Sequence, residues 1–274
     1  MRNGVQFRRR CSLLRNGLKG ELFVVFKRMW HAMGVGGPSV ETVLTHPGCR
    51  PGGFLEGHVQ VSGAADRALD VEYLAVALTT RVEVTAGDQE FTTDREFHRQ
   101  RLTGSFQLEA GARLDMPFRI DMPWEIPITE LYGQHLHGMT MRLSTELEIA
   151  HAVDRSDLDA IAVHPLPAQE RILDALLRLG FRFSRAEVDQ GKVPRAEQTL
   201  PFRQQIDFLP PSAYAAGINR LGLIFLPTAE SLQVVLEIDR RADRPDTRGR
   251  FDVDYATVDE IDWAAELDGW LRRR

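Results

Sequence analysis

The chain has 274 residues, 43% of them hydrophobic and 27% charged, with a formal net charge of −5. That suffices for one large domain or two modest ones around a real core. The longest apolar run, 22–30, is broken by Lys27 and Arg28 and falls short of the ~18 residues a bilayer span needs. Cys11 and Cys49 lie far apart and match no metal-binding spacing, the usage of a reduced, cytoplasmic protein.

The charge is unevenly spread. Before His31, Arg2, Arg8, Arg9, Arg10, Arg15, Lys19, Lys27 and Arg28 face only Glu21. Residues 1–23 are therefore expected to form a disordered basic tail. No clean small-residue cleavage site follows Leu22-Phe23-Val24-Val25-Phe26, so a secretory signal is not expected. Val25, Met29 and Met33 share one helical stripe, which predicts a short amphipathic helix within 24–38, ended by Gly34, Gly36, Gly37 and Pro38. Two uses compete for residues 24–33: docking on the body of the protein, which is favoured, and weak contact with an anionic membrane surface.

Strands follow. Residues 39–45 alternate loosely. In 54–62, Leu55, Gly57, Val59 and Val61 face in while Glu56, His58 and Gln60 face out, the period of a half-buried strand. Residues 69–85 are apolar on both faces, as in a central strand. Residues 90–102 carry Asp94, Glu96, Arg99 and Arg101, which suits an exposed or edge strand. Further strands are expected at 106–108 and 114–120. The prolines of 122–129 cannot hold a full ladder, and 132–138 is a loop carrying His135 and His137.

Residues 141–181 read as a hinge. Met141, Leu143, Thr145, Leu147 and Ile149 share one strand face. Asp154, Asp157 and Asp159 then read as an acidic turn, 161–163 as a short extended run, and Pro165 and Pro167 as its stop. A helix is predicted over 168–179, with Pro167 at its first position and Gly180 at its C-terminal cap. Strands are predicted at 181–189, 200–209, 221–226, 232–238 and 251–255. Thr257 with Glu260 matches a capping box, which predicts an amphipathic C-terminal helix over 257–274. Many short strands without βαβ alternation argue for antiparallel β-sandwiches. The fold class is thus mainly β: a first sandwich over 39–160 and a second over 161–256.

The chain has no nucleophile elbow, phosphate loop or dinucleotide fingerprint, so no catalytic and no cofactor-binding residue is assigned. Asp154, Asp157 and Asp159 are the best candidate for a hard cation, but lack the central Gly and terminal Glu of a calcium loop; a solvated turn is the plainer reading. His135 and His137 lack a third metal ligand. Glu237 and Asp239 beside Arg240 and Arg241 read either as an acid/base pair or, more simply, as strand-end ion pairs. The acidic body argues against nucleic acid as a partner.

An ordered set of short pieces runs along residues 24–241. It comprises Phe26-Lys27, Gly34-Val35-Gly36, Pro51-Gly52-Gly53, Gly57-His58-Val59, Met122-Pro123 and Pro127-Ile128-Thr129. The hinge adds Thr145, Leu147, Ile149-Ala150, Asp154, Asp157, Asp159, Val163, Pro165, Ala175 and Leu179-Gly180-Phe181. Leu200-Pro201-Phe202, Phe208, Pro210 and Glu237-Ile238-Asp239-Arg240-Arg241 complete it. This set resembles the sporulation-control family known as SpoOM. The resemblance implies two tandem arrestin-like sandwiches and a cytoplasmic, non-enzymatic regulator or scaffold linked to sporulation or cell development. It implies no catalytic residue. The expected partner is another protein, not named by the sequence. The competing functions are a metal-dependent binder or enzyme using Asp154, Asp157 and Asp159 or His135 and His137, and a membrane-surface adaptor.

Overall fold

Residues 37–87, 89–240 and 247–273 are described by a computed structural model. The expected tail 1–23, the helix within 24–38 and Arg241 lie outside them. The chain enters through β1 (Ser39–Leu44), β2 (Gly48–Cys49) and β3 (Phe54–Ser62). In β3 the alternation holds: Leu55, Val59 and Val61 are buried and Glu56, His58 and Gln60 are exposed. Next come β4 (Leu69–Ala86) and β5 (Gln89–Thr103). Leu74 to Leu78 are buried without interruption because β4 has strands on both sides and packing on both faces. The polar β5 pairs only with β4 and stays largely exposed.

The segments β6 (Phe106–Leu108), β7 (Arg113–Asp121), β8 (Glu130–Leu131) and β9 (Gln134–His135) follow, then β10 (Met141–Ile149), β11 (Arg155–Ala160) and β12 (Ala162–Val163). The proline-spaced segment before β8 forms no ladder, and side chains from the later part of the chain satisfy its backbone. Gln204 Nε2 donates to Ile128 O at 2.7 Å, and Ile128 N donates to Gln204 Oε1 at 3.0 Å. Thr199 and Leu200 N–H groups donate to the Glu125 carboxylate in return.

One expectation fails at the acidic stretch. Residues 155–160 form strand β11, antiparallel to β10, so Asp157 and Asp159 stand on one strand face and only Asp154 lies in the turn. Exposed Leu158 points the other way, which hides the period from a purely apolar count.

Helix α1 (Pro167–Arg178) forms as predicted. Leu166 N donates to the buried Gln169 Oε1 at 2.7 Å, closing its N-terminus. Gly180 N donates to Leu177 O and Phe181 N to Leu176 O, the paired bonds of a Schellman end, with Phe181 buried beyond it. The Arg50 guanidinium donates to Pro165 O, tying the β2–β3 turn to the approach of α1.

The last strands are β13 (Arg182–Gln190), β14 (Phe202–Leu209), β15 (Ile218–Pro227), β16 (Ser231–Arg240) and β17 (Thr247–Asp254). Helix α2 spans Trp263–Arg273. It starts later than predicted. Thr257 and Glu260 sit in a backbone turn, and Asp262 Oδ1 caps the helix by accepting from Ala264 N and Ala265 N at 3.2 and 3.4 Å. Trp263 Nε1 donates to Val258 O at 2.8 Å and fixes where the helix begins.

The molecule is mainly β. One sheet runs β1-β3-β7, and a ten-stranded sheet runs β11-β10-β4-β13-β14-β15-β16-β17 with β5 and β6 also on β4. Two pairings depart from the expected antiparallel pattern. β12 lies parallel to β2, and β13 meets β4 in parallel at one rung only, Asp189 opposite Glu83. Most buried apolar side chains between Leu55 and Leu271 form one cluster, and the described residues pack as one compact unit.

Candidate functional site

Five successive strands of the large sheet each place one residue on a shared rung: Arg185, Asp207, Gly222, Glu237 and Arg248. Four carry charge and the middle one has no side chain. A cleft of about 280 Å³ opens there, lined by Gln205, Arg220, Gly222, Glu237, Asp239 and Arg248. A Cβ on Gly222 would lie 3.0 Å from Gln205 Nε2 and 3.3 Å from Asp207 Oδ1, so the bare backbone is what keeps the cleft open.

Asp207 is wholly buried and anchors the site. Its Oδ2 takes Arg185 Nε at 3.0 Å and Arg220 Nη1 at 3.1 Å, and its Oδ1 takes Gln205 Nε2 at 2.9 Å. A buried carboxylate is tolerated only with such charged donors around it. Arg185 Nη2 also donates to Glu187 Oε1 at 2.9 Å. On the far wall Arg248 pairs with Glu237, and Asn219 Nδ2 donates to Asp239 Oδ2 at 3.0 Å.

Carboxylates crowd this face. Burial pushes Glu187 up to about 7; Asp189, Asp207 and Glu83 add to the rise while Arg185 opposes it. Asp189 is raised too, first by burial, with Asp207 and Glu237 contributing against Arg203 and Arg185. Two residues further along the same strands, Ile224, Leu226 and Val235 form a small apolar cluster with Val193. Arg250 pins the 193–196 loop there by donating to Pro194 O and Arg195 O. The loop covers the apolar end and leaves the charged end open.

The sequence singled out Glu237 and Asp239, and the structure puts both in the cleft wall. Asp207 was missed. The sequence predicts a strand over 200–209 and assigns Asp207 no role in it. The available signal was Gln205 and Asp207 two apart, polar within an otherwise buried strand.

The hinge carboxylates meet elsewhere. Asp154 Oδ1 accepts from Ile149 N at 3.3 Å, within its turn. Asp157 Oδ2 accepts from Thr42 N at 2.7 Å and so links β11 to β1. One Asp159 oxygen is buried without a hydrogen-bond partner, and its carboxyl rises to about 7 through burial, then the charges of Asp157 and Glu41 and a hydrogen bond with Asp157. Asp157 and Asp159 thus come together with Glu41 and without Asp154. His135 and His137 are exposed at the β8–β9 hairpin. Among the described residues no group of three or more His, Cys, Asp or Glu is placed to hold a metal ion. Nor is any described helix long and apolar enough to cross a membrane.

A mainly β body with open sheet faces and a network of paired charges is the class defined so far. Residues 26–242 match the model of the family described as SpoOM protein, and the chain belongs to that family. It is 34% identical over 218 residues to the sporulation-control protein spo0M of Bacillus subtilis (strain 168), covering 79% of this chain and 81% of that protein. The crystal structure of Spo0M, sporulation control protein, from Bacillus subtilis superposes with a TM-score of 0.76 at 28% identity, over 87% of this chain and 99% of that one.

Proposed function

We propose that this protein is a non-enzymatic, cytoplasmic regulator of sporulation or cell development that works by binding another protein. The process follows from the name of the Bacillus subtilis relative and from the family match. In this reading the chain is a pair of arrestin-like sandwiches joined near residue 160, and partners engage open sheet surfaces. The observation that carries the mode of action is the cleft over Gly222. It is open to solvent and its carboxylates are engaged by arginines and amides. Such a surface suits recognition, since a general acid or base needs a group free to exchange its proton with substrate.

Crosslinking of the full chain in its native organism, during and outside sporulation, tests this. The expected result is a specific protein adduct that changes with developmental stage, together with a sporulation defect on deletion. Absence of any adduct combined with normal sporulation overturns it.

A further inference from the structure

We propose that the cleft over Gly222 is a receptor for a single lysine or arginine side chain of a protein partner. The inference deepens the protein-binding reading above and rests on it.

Size comes first. At about 280 Å³ the cleft lies just below the ~300 Å³ at which pockets for drug-sized ligands begin, so it takes a side chain rather than a whole cofactor. Its depth exists because the middle residue of a charged rung is glycine.

Chemistry comes second. Asp207 has both oxygens engaged by Arg185, Arg220 and Gln205 and serves as foundation. Arg220 is turned onto Asp207. The carboxylates of Glu237 and Asp239 stand two apart on one face of β16, Glu237 against Arg248 and Asp239 against Asn219. A carboxylate accepts about four hydrogen bonds, so both keep capacity for an incoming N–H group. Guanidinium meets such a pair with a fork of donors, and ammonium with three.

Field comes third. Glu187 and Asp189 hold their protons more tightly than exposed carboxyls, first through burial, with Asp207, Glu237 and Glu83 adding to it and Arg185 and Arg203 opposing it. A cation relieves that crowding, whereas an anion meets Glu237 and Asp239 head on. The chain supplies its own precedent. The Arg248 guanidinium already sits against Glu237 from the edge strand β17, with its side chain 44% exposed. A partner's cation would displace it outward.

The test uses the full chain and a blocked heptapeptide with one central arginine, beside the same peptide carrying citrulline, its neutral near-isostere. Backbone amide shifts at Gly222 report binding. The arginine peptide is expected to shift Gly222 and to bind at least about tenfold tighter than the citrulline peptide, the scale of one charge-assisted hydrogen bond. Glu237→Gln and Asp239→Asn are each expected to weaken it by a similar factor. Arg248→Ala removes the internal competitor and keeps both carboxylates, so it is expected to tighten binding severalfold; it also keeps the test sharp if Glu237→Gln fails to fold. Equal binding of the two peptides, no shift at millimolar peptide, or an Arg248→Ala variant no tighter than the parent overturns the proposal. If the cellular crosslink survives Glu237→Gln unchanged, this cleft is the wrong place while the protein-binding reading stands. If no crosslink forms at all, the protein-binding reading itself falls.

Discussion

The indole of Trp270 on α2 occupies the space that a side chain on Gly249 of β17 would need. The helix is therefore seated against bare backbone. Gly249→Ala is expected to push the ring out and to cost about 1–3 kcal/mol, the range for overpacking a filled site. Thermal unfolding with tryptophan fluorescence reads both effects: a lower Tm and a redder emission from the displaced indole.

The late start of α2 is open to an equally direct check. Asp262→Ala removes the side chain that accepts from Ala264 N and Ala265 N, and is expected to cost about 1 kcal/mol, as for other N-cap losses. Thr257→Ala, at the position the sequence pattern favoured, is expected to change stability by less than half of that. Urea titration of the two variants separates them.

Asp207 makes a third case. Removing Arg185 and Arg220 together strands a carboxylate that is fully buried. The double variant Arg185→Ala/Arg220→Ala is expected to lose about 3 kcal/mol, since an unpaired buried charge is far costlier than a missing pair. Adding Asp207→Asn to that background is expected to restore part of the loss, because an uncharged amide is easier to bury. A purely steric role for the arginines predicts no recovery.

Asp159 ties stability to pH. Its carboxyl is raised from 3.8 to about 7 in the folded chain. Below about pH 3.8 folded and unfolded chains both hold the proton. Between that value and about 7 only the folded chain does, so each step upward in pH favours unfolding, and above 7 the loss is complete. Glu187, also raised to about 7, acts in the same direction. Asp159→Asn, which keeps the shape and drops the charge, is expected to flatten the fall of Tm between pH 4 and pH 7.5 by a few degrees. A fall identical in parent and variant removes Asp159 from the account.

These elements differ in how far the sequence announced them. β3 and β10 have one wet and one dry face, and that alone writes an alternation into the sequence. α1 carried its proline start, apolar stripe and glycine stop. β11 did not announce itself because its half-buried positions are charged and its exposed Leu158 is apolar. The capping-box pattern at Thr257 was satisfied in letters but overridden by the Trp263 hydrogen bond to Val258 O, a contact set by packing. The cleft was least legible. Glu237 and Asp239 stood out as charges, but Asp207 and Gly222 matter only once β14, β15 and β16 are laid side by side. The ladder register that aligns them joins residues far apart in the chain and leaves no local trace.

The backbone ladder between β4 and β13 within the ten-stranded sheet is a single rung, Glu83 beside Asp189. Every neighbouring ladder is longer, and the two residues at this crossing are both acids. What holds the two runs of strands together across this seam is therefore shared packing and side-chain bonds, such as Gln204 on Ile128, more than backbone pairing.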